Sequence, residues 1–160
     1  MPDINQRDDN TMIDEKDLTI INMLRENART PFTEIASRLD VSESTIRKRI
    51  KALEKNGVIT QYTVVVDPIK LGYNSVSMVG INVESTHLLD VAMRMTEFPE
   101  VKFVATSTGD HMIITEIWLN DSKELGRFIT ENIETQEGVK NVSPTIILEN
   151  WKVHSGYLLP

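Results

Sequence analysis

At Gly57 the hydrophobic repeat of this chain changes period. Before it, apolar residues recur every three to four positions, as on one face of a helix; after it, β-branched residues run together or alternate, as in strands. The change predicts a helical module followed by a sheet module, hence an α+β chain. With 160 residues, 40% of them hydrophobic, there is material for one ordinary domain or two small ones, each with a packed core. No apolar run reaches the ~18 residues of a membrane span. The N-terminus, "MPDINQRDDNTMIDEKD", is polar and lacks an apolar signal core, so a cytoplasmic protein is expected. The chain has no cysteine, which excludes disulfides, thiolate zinc sites and cysteine nucleophiles.

Residues 1–13 read as a loose tail. The first helix is expected in "DEKDLTIINMLREN", with Leu18, Ile21 and Leu24 at helical spacing and Asp14, Glu15 and Asp17 near its start, where the helix dipole favours negative charge. Pro31 breaks the pattern. The second helix is expected in "TEIASRLD", with Thr33 as N-cap and Ile35, Ala36 and Leu39 as its apolar face. "DVS" is a tight turn. Ser42 caps a third helix whose Ile46, Ile50 and Leu53 share one face, and Gly57 supplies the left-handed position that ends it.

Beyond Gly57, "VITQYTVVVD" reads as a strand, Asp67-Pro68 and "LGYN" as turns, and "SVSMVGINVE" as a second strand. "THLLDVAMRMTEFPE" reads as a helix capped by Thr86, with Leu89, Ala92, Met93 and Met95 or Phe98 as apolar positions. "VKFVATS" and "HMIITEIWL" form an antiparallel pair about Thr108-Gly109-Asp110. "DSKELGRFITENIETQEG" is a helix with Leu125, Phe128, Ile129 and Ile133 inward and Gly138 at its stop. "VKNVSPTIILENWKV" is the last strand, with Pro144 marking a bulge or an edge. From residue 73 this order is βαββαβ, the ferredoxin-like arrangement. An antiparallel sheet with both helices on one side leaves its other face to be covered, and apolar residues there predict a dimer surface.

The net charge is −7, which by itself argues against a general nucleic-acid binder, but the charge is unevenly spread. Residues 1–13 carry −2, 14–57 carry +1 and 58–160 carry −6. Within 42–57 there are five basic and two acidic residues. On the third helix the apolar seam forces Ser44, Lys48, Lys51 and Lys55 outward, flanked by Thr45 and Arg47. Arg49 lies nearer the seam and suits a carboxylate partner. A short second helix, a tight turn and a third helix with a basic outer face match a helix-turn-helix that binds double-stranded DNA. Ser42, Ser44 and Thr45 sit at the helix start, where side chains reach base edges. Arg47 suits guanine or phosphate, and Lys48 and Lys51 suit phosphates.

No catalytic or metal constellation emerges. His87, His111 and His154 are far apart, no phosphate-binding loop or nucleophile elbow is present, and Glu131, Glu134 and Glu137 read as a solvated face. No metal and no cofactor is expected, and Trp118 and Trp151 read as core or interface residues.

Residues 14–160 resemble the Lrp/AsnC family, the leucine-responsive and asparagine-responsive transcription regulators. The resemblance lies in "DEKDLTIINMLRENART", in "TEIASRLDVSESTIRKRIKALEKNGVITQY", in "DPIKLGYN" and in the βαββαβ module. It implies a tail over 1–13, a winged-helix-like helix-turn-helix over 14–60, a β-strand hinge over 61–72, and a ferredoxin-like effector-binding and oligomerisation domain over 73–160. It also implies a homodimer built through the sheets, assembling into tetramers or octamers, and transcription control by an amino acid or related metabolite. The sequence departs from the family pattern at two places. Asp40 replaces a glycine in the turn before the third helix, and Met112 stands where an effector-loop aspartate is common. The resemblance carries effector binding onto Thr108, Gly109, Asp110 and His111, with Asp110 as the carboxylate for an amino group; Gly109 alone also reads as a hairpin glycine with φ > 0.

Two rival readings differ in class. A small-molecule enzyme or sensor on the ferredoxin-like scaffold would need paired titratable groups, for which the sequence offers only Asp110 and His111 as neighbours; turnover of amino-acid metabolites would reveal it. A chromosome-organising protein of low sequence preference would differ from a regulator by protecting DNA without discrete first sites.

Overall fold

The computed structural model describes residues 13–148. The chain divides between Val65 and Val66 into two compact units.

The first unit holds three helices: α1 (Glu15–Glu26), α2 (Phe32–Leu39) and α3 (Glu43–Lys55). Asp14 caps α1 in a reciprocal capping box with Asp17, satisfying two of the backbone N–H groups that a helix start leaves unpaired. The buried core is Ile20, Leu24, Ile35, Ala36, Ile46, Ile50 and Leu53. On α1 the seam therefore runs through Ile20 and Leu24, with Leu18 and Ile21 half-buried at its edges. Arg49 of α3 reaches back to α1, its Nη1 2.8 Å from Asp14 Oδ2 and 2.8 Å from Asp17 Oδ1. The backbone N–H of Asp17 and the Arg49 guanidinium hold the Asp14 carboxyl below the ordinary carboxylate range. The partner expected for Arg49 is thus a pair of carboxylates.

Thr33 is not the N-cap of α2. Pro31 occupies that position with φ −61° and ψ 140°, and its carbonyl accepts from the N–H groups of Glu34 and Ile35. The fixed proline φ suits a helix entry, so the helix starts two residues earlier than the hydroxyl suggests. Asp40 takes the left-handed conformation of the turn, with φ 51° and ψ 52°. Aspartate tolerates that region better than most residues, so the turn survives without glycine. Gly57, at φ 70°, ends α3 as expected.

The strand expected over 58–67 does not form, nor does the β-strand hinge over 61–72; the only regular piece there is a short 3₁₀ turn, Ile69–Leu71. A strand exists only within a ladder, and no segment among the described residues pairs with this one. Its β-branched residues stay outside, Val64 at 81% exposure and Val65 at 60%.

The second unit is a four-stranded antiparallel sheet in the order β2-β3-β1-β4, from β1 (Ser75–Val83), β2 (Val101–Thr106), β3 (Ile113–Leu119) and β4 (Val139–Ile146). Helix α4 (Leu88–Met95) follows β1. Helix α5 (Ser122–Phe128) follows β3 and continues as a π-helical turn, Ile129–Ile133. This is the ferredoxin-like βαββαβ order. Strand periodicity sends Val79, Ile81 and Val83 of β1 and Ile113, Ile117 and Leu119 of β3 into one core with Val91, Met95, Leu125, Phe128, Ile129 and Ile133 of the helices. Pro144 lies on β4, an edge strand, where its missing N–H costs no ladder bond.

Helix α4 departs from its expected start and, at two positions, from its expected inward face. Residues Ser85–His87 form a 3₁₀ turn, so Thr86 bonds the His87 ring through Oγ1 at 3.1 Å rather than capping, and His87 takes the N-cap position. Met95, Ala92 and Phe98 pack inward as expected and Val91 joins them, while Leu89 and Met93, also expected as apolar positions, are each 68% exposed. Among the described residues no helix is long and apolar enough to cross a membrane.

Candidate DNA interface and effector loop

Helix α3 owes its orientation to its buried seam. Ile46 is fully buried and Ile50 and Leu53 are each 3% exposed, so the opposite side faces outward. Ser44, Lys48 and Lys51 are exposed on that side, with Lys55 one turn on and Thr45 half-buried at its margin. Among the described residues no carboxylate pairs with Lys48 or Lys51.

Ser42 caps the helix, its Oγ accepting from the Thr45 N–H at 3.2 Å. The same oxygen lies 2.8 Å from Ser44 Oγ and 2.8 Å from Thr45 Oγ1. These three hydroxyls form one exposed polar cluster at the positive end of the helix dipole, a setting that suits backbone phosphate or a base edge. Arg47 is placed with them but is not free. Its Nη2 lies 2.6 Å from Glu43 Oε1, one helical turn back, and its Cζ lies 5.2 Å from the centre of the Phe32 ring at the start of α2.

The four residues expected at an effector site lie together in the β2–β3 connection. Thr108, Gly109 and Asp110 are exposed and His111 is half-buried. Ser107 ties the connection across its mouth, its hydroxyl donating to the His111 carbonyl and its N–H to the Met112 carbonyl. Asn82 of β1 accepts from the Met112 N–H at 3.2 Å. Gly109 is not a left-handed hairpin glycine; the positive-φ glycines among the described residues are Gly57, Gly72 and Gly138. The connection is a looser run of bends and has no position that demands φ > 0.

Gly80 is the residue that seats His111. A Cβ added there would stand 2.3 Å from His111 Cδ2 and Cγ, so the imidazole lies directly on the strand. His111 Nδ1 is buried and has no hydrogen-bond partner. A buried ring nitrogen without a partner costs free energy that a ligand can recover. Neither Gly80 nor Asn82 stands out in the sequence, because each acts across 30 or so positions rather than within a local pattern. Glu43 does leave a signal, as an acid four residues ahead of Arg47 on a helix, whereas Phe32 leaves none. Among the described residues no group of three His, Asp or Glu side chains is placed to hold a metal.

The register puts Val76, Met78 and Gly80 of β1, Ile114, Glu116 and Trp118 of β3, and Phe103 and Ala105 of β2 on the sheet face away from the helices. Trp118 donates to Glu116 Oε1 at 2.6 Å, and Lys102 lies 5.6 Å from the Tyr73 ring and 5.7 Å from the Trp118 ring.

Both units match known proteins. The profile of winged helix-turn-helix DNA-binding domains matches residues 13–60, and that of the Lrp/AsnC ligand binding domain matches residues 76–157. The HTH-type transcriptional regulator LrpA of Pyrococcus horikoshii is 45% identical over 141 residues, covering 88% of this chain and all of that protein. LrpA1 of Halobacterium salinarum is 37% identical, covering 83% of this chain and 94% of its own. Among solved structures, AsnC of E. coli superposes with a TM-score of 0.81 at 26% identity, over 89% of this chain and 96% of that one. A transcriptional regulator of Neisseria meningitidis in complex with L-Met shares the fold, with a TM-score of 0.84 at 22% identity over 93% and 97% of the two chains. With a helix-turn-helix whose third helix turns its basic face outward, a ferredoxin-like unit after it in the chain, and a match to both by regulators of one kind, the chain belongs to the Lrp/AsnC family of DNA-binding transcriptional regulators.

Proposed function

We propose that this regulator reads operator DNA with α3, acts as a homodimer, and changes its DNA affinity when a free amino acid or related small metabolite binds beside the β2–β3 connection. In this reading residues 14–60 are the DNA-reading module, 61–72 the link, and the unit from residue 73 the effector-binding and assembly module. The observation that carries it is the outward face of α3, with Ser42, Ser44, Thr45, Arg47, Lys48 and Lys51 on or beside one exposed ridge. Lysines there neutralise phosphates and release counterions, while the hydroxyls and the guanidinium reach base edges.

Dimerisation is supported by the sheet face carrying Val76, Met78, Ile114 and Trp118, which no helix among the described residues of the unit covers. A two-fold pair would present its recognition helices to half-sites about one DNA turn apart. Sedimentation that found only monomers at micromolar concentration would remove this part of the reading.

The effector part is supported by the Asp110 carboxylate, which suits an ammonium group, and by the unpartnered Nδ1 of His111. That the Neisseria regulator was solved with L-Met makes amino acids the first class to screen. The test is a thermal-shift screen of the twenty amino acids and close relatives such as β-alanine. Binding to the native state stabilises it by about 2.7 kcal/mol at a hundredfold excess over Kd. One ligand or one chemical group of ligands is expected to raise the melting temperature, and Asp110→Ala with His111→Ala to remove the shift. A shift that survives both substitutions would place the ligand elsewhere, and no shift at all would remove the amino-acid effector.

A further inference from the structure

Arg47 is held from two sides. Glu43 binds one Nη2 hydrogen at 2.6 Å, and the Phe32 ring lies under the guanidinium at 5.2 Å from Cζ. Both side chains of the ion pair are open to solvent, 56% for Arg47 and 43% for Glu43, so the pair adds little to stability. Its consequence is orientation. A guanidinium carries five N–H donors in a rigid planar fork. With one edge bound to a carboxylate and its face on an aromatic ring, the fork loses the rotamer freedom that a solvent-exposed arginine keeps, and its remaining edge is presented in a fixed direction.

From this we infer that Glu43 and Phe32 are positioning residues that aim Arg47 as a bidentate reader of a guanine. The inference rests on α3 being the recognition helix. A guanine offers O6 and N7 as paired acceptors in the major groove, and a pre-aimed fork meets both without having to be ordered on binding. An unbraced arginine at the same place reaches phosphates as readily as base edges and so carries affinity without sequence information. The Glu43 carboxylate adds a second effect. Standing at the first turn of α3, it repels a phosphate that approaches Arg47 and disfavours registers that put backbone, rather than a base, against the fork. Glu43 thus trades non-specific affinity for discrimination, which explains an acid at the start of a helix whose purpose is to meet a polyanion.

The experiment starts with a duplex selected by the wild-type protein from a random-sequence pool. Affinity is then measured for that duplex, for each of its single-base-pair variants and for a random-sequence duplex. The proteins are wild type, Arg47→Ala, Glu43→Ala and Phe32→Leu, each with a melting curve to confirm folding. For wild type, one G·C pair is expected to be preferred by roughly ten- to a hundredfold, the discrimination of a good bidentate contact. Arg47→Ala should abolish the preference at that pair. Glu43→Ala and Phe32→Leu should each reduce it to within about threefold at the same pair while leaving preferences elsewhere intact, and Glu43→Ala should bind random duplex more tightly than wild type. If Arg47→Ala loses the preference but Glu43→Ala and Phe32→Leu keep it sharp, the brace is overturned and α3 remains the recognition helix. If Arg47→Ala changes neither affinity nor any base preference, the assignment of Arg47 to recognition itself fails, and the inference with it.

Discussion

Reversing the charge at Lys48 and Lys51 together is expected to lower DNA affinity by on the order of a hundredfold or more near physiological salt, with no change in the melting curve or in subunit association. Both ammonium groups are exposed, and neither is paired with a carboxylate among the described residues, so their removal leaves no buried charge and breaks no fold contact. The effect falls entirely on the approach to DNA. Each phosphate contact steepens the salt dependence of binding by about 0.9 in a logarithmic plot, so losing two in each subunit of a bound dimer should flatten the slope by roughly 3.6. Binding isotherms across a salt series measure both numbers at once. If Lys48→Glu/Lys51→Glu bound operator DNA with unchanged affinity and unchanged slope, the phosphates would have to lie against some other surface.

Ile46→Ala is expected to unfold the helical unit while the sheet unit stays folded. Ile46 is fully buried at the centre of the seam that joins α3 to α1 and α2. Truncating a buried isoleucine removes its transfer free energy and leaves a cavity, at a cost of about 2–5 kcal/mol. A unit of some fifty residues has a total stability of about 2.5–7.5 kcal/mol at the usual 0.05–0.15 per residue, so the loss is comparable to the whole. The core of the sheet unit contains no residue of α1, α2 or α3. Circular dichroism should show a loss of helix at 25 °C together with loss of DNA binding, while the cooperative melting of the sheet unit persists. A variant that kept full helicity and melted like wild type would mean that the seam is not what holds the recognition helix.

How far the sequence foretells these features depends on how local their causes are. The seam of α3, its Ser42 cap and its Gly57 stop are set by contacts within a few residues, and each appears where spacing and residue type place it. The left-handed Asp40 follows from its own side chain in the same way. The Arg49 partner was open to inference because Arg49 sits beside a seam and α1 begins with acids, although which carboxylates it meets needs the fold. Other features have causes that lie elsewhere in the chain. The β-branched run after Gly57 has strand propensity, but a strand also needs a ladder partner, and propensity is blind to that. The inward face of α4 is legible only in part: Ala92, Met95 and Phe98 pack against the core where expected, whereas Leu89 and Met93 lie outward and Val91 takes the buried position. Both β-bulges, at Asn82/Val83 and at Val101/Phe103, are register events with no local signature.

The two candidate sites divide along the same line. The DNA-facing ridge is the complement of a helical seam, so identifying the seam identifies the ridge. The neighbourhood of His111 depends on Gly80, which opposes Ile114 on one side and Ser143 on the other and leaves room for a ring that arrives from the β2–β3 connection. That absence of a side chain acquires meaning only once the strands are in register. The clasp on Arg47 is mixed: its acid is a sequence neighbour, and its aromatic floor comes from the preceding helix.

Because the natural chain has no cysteine, a single one can be introduced and labelled uniquely. A hydroxyl-radical-generating iron chelate attached at Ser44→Cys, on the exposed start of α3, should cut operator DNA in two clusters about one helical turn apart, one for each subunit. Operator DNA left uncut by a labelled Ser44→Cys protein that still binds it would show that α3 does not enter the groove.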